Sequence, residues 1–122
     1  MTKDPLFKII SINADYSTII ASVEVDIHNE ILKGHFPDQP VVPGACMIQM
    51  VKEVLADVLH QPLRLTKADN IKFLSLIEPS AKSLQLNISY QLLDSDIKVS
   101  AALQSGDITF MKLQGVFVFA SV

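Results

Sequence analysis

The sequence predicts an α+β domain in which one long helix packs against a curved antiparallel sheet of about five to six strands. Only one segment of the chain has the 3.6-residue apolar period of a helix, whereas six segments alternate or run apolar as strands do. The length of 122 residues suits a single hydrophobic core, so one domain is expected over residues 1–122.

Two strands are predicted before the helix. The first is the apolar segment Leu6 to Ile12, which ends at a turn formed by Asn13-Ala14-Asp15. The second runs from Ile19 to Ile27 and places an apolar residue at every other position, which predicts a strand with one buried face. A tight turn between them makes this pair a hairpin.

The single long helix is predicted over Ala45 to His60, and Pro62 prevents its continuation. Its apolar residues share one face, which the sheet is expected to cover: Met47, Met50, Val51, Val54, Leu55, Val58 and Leu59. The opposite face carries a second stripe, formed by Gln49, Glu53, Ala56 and His60.

Four strands are predicted after the helix: Leu63–Phe73, Leu84–Leu92, Ile97–Leu103 and Thr109–Phe119. Asp94-Ser95 and Gly106-Asp107 are short turn signals, so the last three strands should form an antiparallel meander. One face of this sheet and its edge strands would stay open in a monomer. Edge-to-edge pairing with a second copy is therefore expected.

Composition excludes several classes of function. Ten basic and thirteen acidic residues give a net charge of −3, which offers no electrostatic reason to bind nucleic acid or an anionic membrane. The chain start lacks the apolar core of a signal peptide, and no apolar run reaches the length of a membrane span. The one cysteine, Cys46, cannot form an internal disulfide, so we expect a cytoplasmic protein.

The segment that carries chemistry is the proline-rich loop that leads into the helix. The three histidines are scattered, no metal-ligand cluster is present, and no phosphate-binding loop or serine nucleophile motif occurs. Pro43-Gly44 brings the chain to the first helical turn, whose free N–H groups would polarise a thioester carbonyl, and Gly44 would let a ligand approach. His35 on the same loop is a candidate base.

This loop resembles a known signature. The segment Gly34-His35-Phe36-Pro37-Asp38-Gln39-Pro40-Val41-Val42-Pro43-Gly44 is similar to the H-F-P-x-x-P-x-x-P-G motif of the 3-hydroxyacyl-[acyl-carrier-protein] dehydratases of the FabZ/FabA type. The resemblance implies the hot-dog fold and the removal of water from a 3-hydroxyacyl thioester, which gives a trans-2-enoyl thioester in fatty acid or related acyl-chain biosynthesis.

The resemblance also implies roles for individual residues. His35 would abstract the C2 proton, and Phe36, Pro43, Gly44, Ala45 and Cys46 would contact the substrate. The family's acid on the central helix, contributed by the other subunit, corresponds to Gln49 in this chain. One turn later, where the Glu branch of the family carries glutamine, this chain has Glu53, so the pair looks exchanged.

A glutamine does not donate a proton as a carboxylic acid does, although its amide hydrogen-bonds a hydroxyl or a water. Two alternatives therefore stay open: a non-catalytic subunit that binds an acyl carrier protein or an active dehydratase, and a hot-dog thioesterase. For the dehydratase, the resemblance implies an acyl thioester carried on the phosphopantetheine of acyl carrier protein, and no metal or redox cofactor. A homodimer is expected, and a trimer of dimers is also compatible.

Overall fold

A computed structural model describes residues 7–25, 44–75, 77 and 83–120. Within these ranges the chain forms six strands and one helix, and all five strand pairings are antiparallel. The elements are β1 (Phe7–Asp15), β2 (Thr18–Val25), α1 (Gly44–Leu59), β3 (Leu63–Phe73), β4 (Leu84–Leu93), β5 (Asp96–Ser105) and β6 (Ile108–Phe119). The predicted α+β class is confirmed.

The strands form one sheet in the order β1-β2-β4-β5-β6-β3. The last three strands are hydrogen-bonded in sequence order, as the turn signals predicted, with turns at Asp94-Ser95 and Gly106-Asp107. β3 adds to the far side of β6 and β2 adds to β4, so β1 and β3 are the two edges of the sheet.

The first hairpin differs from the prediction. The predicted turn at Asn13-Ala14-Asp15 is wrong, because β1 continues through these residues and Asp15 pairs with Thr18. The turn lies instead at Tyr16 and Ser17, where Tyr16 has a left-handed φ of 47°. Tyr90 of β4 stabilises it, because its backbone N–H donates to the Ser17 carbonyl at 2.9 Å and its hydroxyl donates to the Tyr16 carbonyl at 3.0 Å.

The alternation of apolar residues sets which face of the sheet is buried. On β2 the predicted buried residues Ile19, Ala21, Val23 and Val25 are buried, and β5 buries its predicted alternate residues in the same way. β4 follows the pattern over its first half only, because Tyr90 is half-buried and Leu92 is exposed near the Asp94-Ser95 turn.

The helix packs against this buried face. Met47, Met50, Val51, Val54 and Leu55 are buried, as the helical period predicted, and the residues opposite them are mostly exposed. α1 ends one residue earlier than predicted because His60 adopts a left-handed φ of 58°, and the N–H of Gln61 donates to the Ala56 carbonyl at 3.3 Å. α1, the one helix within the described ranges, is too short to cross a membrane.

The edge strand β3 is irregular in its middle. Its pairing with β6 shifts register twice, between Leu65 and Lys67 and between Ala68 and Asn70. Gly115 of β6 lies against this irregular stretch, and a Cβ placed on it would come within 2.5 Å of the Lys67 carbonyl oxygen. The close approach of the two backbones therefore requires glycine at this position.

We expect the Leu55→Ala substitution to lower the free energy of unfolding by about 2–5 kcal/mol, because Leu55 is fully buried between α1 and the sheet and its truncation leaves a cavity. Urea unfolding at one fixed protein concentration measures this change. Leu92→Ala is the matched control, since Leu92 is exposed, and equal losses in the two variants would contradict the burial of Leu55.

The Gly115→Ala substitution should also destabilise the protein, by about 1–3 kcal/mol, because the added methyl group meets a backbone oxygen of β3 that moves only with the strand. Thermal unfolding of this variant beside Gln114→Ala, which changes an exposed neighbour on β6, tests it. A Gly115→Ala variant as stable as the control would show that the two strands lie farther apart.

Candidate functional site

The first turn of α1 contains three of the predicted site residues. Gly44 is half-buried, Ala45 is exposed, and Cys46 is half-buried, so the start of the helix lies at the surface. The first turn contains no acidic residue. The free N–H groups and the positive end of the helix dipole are therefore not neutralised by a carboxylate of that turn, and they favour a partial negative charge such as a carbonyl oxygen.

The three predicted loop residues His35, Phe36 and Pro43 lie outside the described residues. The predicted contacts of the histidine with the substrate and with a second subunit therefore stay predictions. Of the predicted site residues, the described ranges contain Gly44, Ala45, Cys46, Gln49 and Glu53.

Gln49 and Glu53 both lie exposed on the outward face of α1. The helical rise of about 1.5 Å per residue places Gln49 roughly 7 Å along the axis from Gly44 and Glu53 roughly 13 Å. Gln49 is therefore the nearer of the two to the first turn. Their spacing of four residues puts them one above the other on the same face, as the sequence predicted.

Glu53 also lies beside a shallow groove next to the C-terminal half of α1. The groove is lined by residues of β1, α1 and the segment that follows it: Ile9, Glu53, Ala56, Asp57, His60, Gln61 and Pro62. Within the described residues no group of three or more His, Cys, Asp or Glu side chains is arranged to hold a metal ion. The groove therefore gives Glu53 polar neighbours at the end of the helix opposite to Gly44.

Phe73 is a neighbour of the predicted site that the sequence did not identify. It is the last residue of β3, and a Cβ added to Gly44 would lie 2.8 Å from the Cζ atom of its ring. The interpretation that Gly44 leaves room for a ligand is thus revised, because in this direction an aromatic ring of the protein fills the room. Strand periodicity placed Phe73 at the end of a strand, but only the packing of β3 beside α1 shows the contact.

Cys46 follows Gly44 by two residues and is half-buried. Burial raises the pKa of its thiol, because the charged thiolate loses solvation there. A thiol with a raised pKa is a weak nucleophile at neutral pH. The environment of Cys46 is therefore unfavourable for a nucleophilic role, and its contact with the substrate stays a prediction.

The grooves on the outer face of the sheet are separate from this site. One of them crosses the sheet from β2 to β3 and is lined by apolar and polar residues, the uncharged polar ones including Asn70, Asn87, Ser89, Ser100 and Gln114. The sheet itself lies between this groove and α1. The groove therefore makes no contact with the first turn of the helix.

Comparison with known proteins places these features in a family context. Residues 11–110 match the model of the ApeI-like family, described as ApeI dehydratase. The 3-hydroxyacyl-[acyl-carrier-protein] dehydratase FabZ of Oenococcus oeni is 29% identical over 96 residues, which cover 73% of this chain and 68% of that protein. FabZ of Xanthomonas euvesicatoria is 27% identical over 81 residues, covering 59% of this chain and 53% of the relative.

Solved structures show the same architecture. The dehydratase heterocomplex ApeI:P from Xenorhabdus doucetiae contains a chain that superimposes with a TM-score of 0.74 at 19% identity, covering 95% of this chain and 99% of that one. An uncharacterised protein from Erwinia carotovora gives a TM-score of 0.64 at 22% identity, covering 94% of each chain. The predicted hot-dog fold, a six-stranded antiparallel sheet wrapped around one helix, is confirmed.

The raised pKa of Cys46 predicts slow alkylation. At pH 8 a smaller fraction of this thiol is ionised than of an unburied cysteine, so iodoacetamide should modify it more slowly than N-acetylcysteine amide, which lacks a free carboxylate. The midpoint of its pH–rate profile should lie above that of the free thiol, and mass spectrometry of the intact protein follows the reaction. A midpoint at or below that of N-acetylcysteine amide would contradict the desolvation of Cys46.

Proposed function

Because the chain belongs to the ApeI-like dehydratase family, we propose that it removes water from a 3-hydroxyacyl thioester and forms the trans-2-enoyl thioester. The observation that carries this proposal is the extent of the family match. Residues 11–110 include the whole histidine–proline loop and all of α1, so the match spans every residue assigned to the site. The substrate would arrive on the phosphopantetheine of acyl carrier protein, and the reaction needs no metal or redox cofactor.

The proposed first half of the reaction is proton removal from C2. His35 takes the C2 proton, and the electron pair of the C2–H bond is delocalised onto the thioester carbonyl oxygen, which the N–H groups of Gly44 and Ala45 hold. The surface position of this first turn, without an acidic residue in it, supports this assignment. A carboxylate beside these N–H groups would oppose the negative charge that develops on the carbonyl oxygen.

The proposed second half is departure of the 3-hydroxyl group as water, which needs a proton. The amide of Gln49 hydrogen-bonds the hydroxyl, and Glu53 supplies the proton through a bridging water. The exposure of both side chains on one face of α1 supports these two roles, since both can then reach the same bound substrate. The C3–O bond breaks as the C2–C3 double bond forms, so one water leaves for each enoyl product.

The proposed active unit is a homodimer, which also permits a trimer of dimers. β1 and β3 are edges of the sheet in one chain, so each offers backbone groups to a second copy. In such a unit Gln49 would face the partner's histidine loop. Apolar surface that one chain does not need for its own core would line a tunnel for the acyl chain. We also propose a cytoplasmic location, which the single cysteine supports because it allows no internal disulfide.

A second candidate function is that of a non-catalytic subunit. Gln49 stands where the acid of the related dehydratases is expected, and the ApeI:P structure is itself named a dehydratase heterocomplex. In this case the chain would bind acyl carrier protein or an active dehydratase without turning the substrate over. Retained binding without turnover is the result that favours this candidate over the first.

Kinetics with a 3-hydroxyacyl-carrier thioester test these assignments. His35→Ala should lower kcat/KM by about 10²–10⁴-fold because it removes the base, and Glu53→Gln should lower kcat because it removes the proton source. Gln49→Glu should restore the family's acid and raise kcat. Formation of the enoyl thioester is followed by its ultraviolet absorbance, and release of free thiol would instead reveal a thioesterase.

Asp57→Asn is the matched control for Glu53→Gln, since it removes another exposed carboxylate one turn further along α1. Its turnover should equal that of the wild type. If Glu53→Gln also retains wild-type turnover, the exchange of roles between Gln49 and Glu53 is wrong. If the wild type itself does not turn over but binds the acyl carrier, the dehydratase proposal gives way to the non-catalytic one.

A further inference from the structure

The contact between Phe73 and Gly44 joins the end of β3 to the start of α1. A Cβ placed on Gly44 would lie 2.8, 3.0 and 3.3 Å from the Cζ, Cε1 and Cε2 atoms of Phe73. Three ring carbons at such distances mean that the outer end of the ring rests on the α-carbon of the glycine. Any other residue at position 44 would force the ring or the helix start to move.

The exposure of Phe73 distinguishes it from an ordinary core residue. Its partner across β6 is Met111, which is completely buried, whereas Phe73 remains 52% exposed. The ring therefore lies at the rim of the core, with part of its surface on the glycine and part open. A core aromatic paired with Met111 would instead bury most of its area.

The backbone around Phe73 is well anchored. Phe73 pairs with Met111, and the next residue, Leu74, donates its N–H to the Phe110 carbonyl at 2.7 Å. The ring thus projects from a strand held by β6 on both sides of the residue. By contrast, the first turn of α1 is only partly buried: Gly44 and Cys46 are half-buried, Ala45 is exposed, and Met47 is the first fully buried residue of the helix.

We propose that Phe73 is a positioning residue for the thioester-binding turn: its ring, seated on Gly44, fixes the direction of the Gly44 and Ala45 N–H groups. This inference rests on the proposed function, which assigns those groups to the thioester carbonyl. The absence of a side chain at Gly44 then serves to make room for the ring of Phe73 rather than for the ligand. A small displacement of the first turn would then weaken the hydrogen bonds to the carbonyl oxygen.

Three substitutions test the contact between the ring and the glycine. Phe73→Leu removes the ring and keeps an apolar side chain, Phe73→Tyr keeps the ring, and Gly44→Ala adds the methyl group that the ring must vacate. Leu92→Ala is the control, because Leu92 is 54% exposed and lies by the Asp94-Ser95 turn, at the end of the sheet's strands opposite to Phe73. It should leave every readout unchanged.

The first readout is the nuclear magnetic resonance shift of the Gly44 α-protons. The ring current of Phe73 should displace these protons in the wild type and in Phe73→Tyr, and the displacement should disappear in Phe73→Leu. This measurement does not depend on catalysis. Absence of a ring-current shift in the wild type would overturn the contact and with it the inference.

The second readout is the kinetics of dehydration. Phe73→Leu should lower kcat roughly ten- to hundredfold with a smaller change in KM. Phe73→Tyr should retain the turnover of the wild type. The double variant Gly44→Ala with Phe73→Leu should lose little more than Phe73→Leu alone, because both changes act through one contact. Wild-type kcat in Phe73→Leu, or fully additive losses in the double variant, would overturn the positioning role.

A separate arm keeps this inference distinct from the proposed reaction. If the wild type shows no turnover, the dehydratase proposal alone has failed, and binding of crotonyl-pantetheine is then measured through the amide shifts of Gly44 and Ala45. Weaker binding by Phe73→Leu than by Phe73→Tyr and the wild type would support the inference. Equal binding by all variants, or no binding by the wild type, would overturn it.

Discussion

Burial of one face of α1 against the sheet is the interaction on which the rest of the structure depends. A 16-residue helix is only marginally stable on its own in water. Met50, Val51, Val54 and Leu55 stabilise it here because all four are fully buried against the sheet. The sheet must curve to cover them. Once this face is fixed, the rotation of the helix about its axis is fixed too, and every outward residue has its place.

The same packing decides what chemistry the helix offers. With the apolar face inward, Gln49 and Glu53 point away from the core, and the first turn lies where β3 ends. In a single chain these polar side chains lie on an open surface, whereas elimination of water needs an enclosed site. A second subunit over this surface would provide the enclosure, which agrees with the proposed dimer and equally with a heteromeric partner.

At two glycines the missing side chain makes room for another part of the protein rather than for a ligand. Gly115 allows β3 to approach β6 at its irregular stretch, and Gly44 allows the ring of Phe73 to reach the helix start. Both contacts involve β3, the edge strand that lies beside the helix. The exact path of this strand therefore influences the fold and the proposed thioester-binding turn together.

The sequence by itself determined the helix, the six strands and the buried faces of β2, β5 and the first half of β4, because apolar periods of 3.6 and 2 are local properties of the chain. It also determined the family, because the loop from His35 to Gly44 carries fixed residue types at fixed spacing. Only the tertiary structure decided the position of the turn between β1 and β2, at Tyr16, and the contact of Phe73 with Gly44. Both depend on residues distant in sequence, Tyr90 for the turn and β3 for the helix start, and no local pattern encodes such pairings.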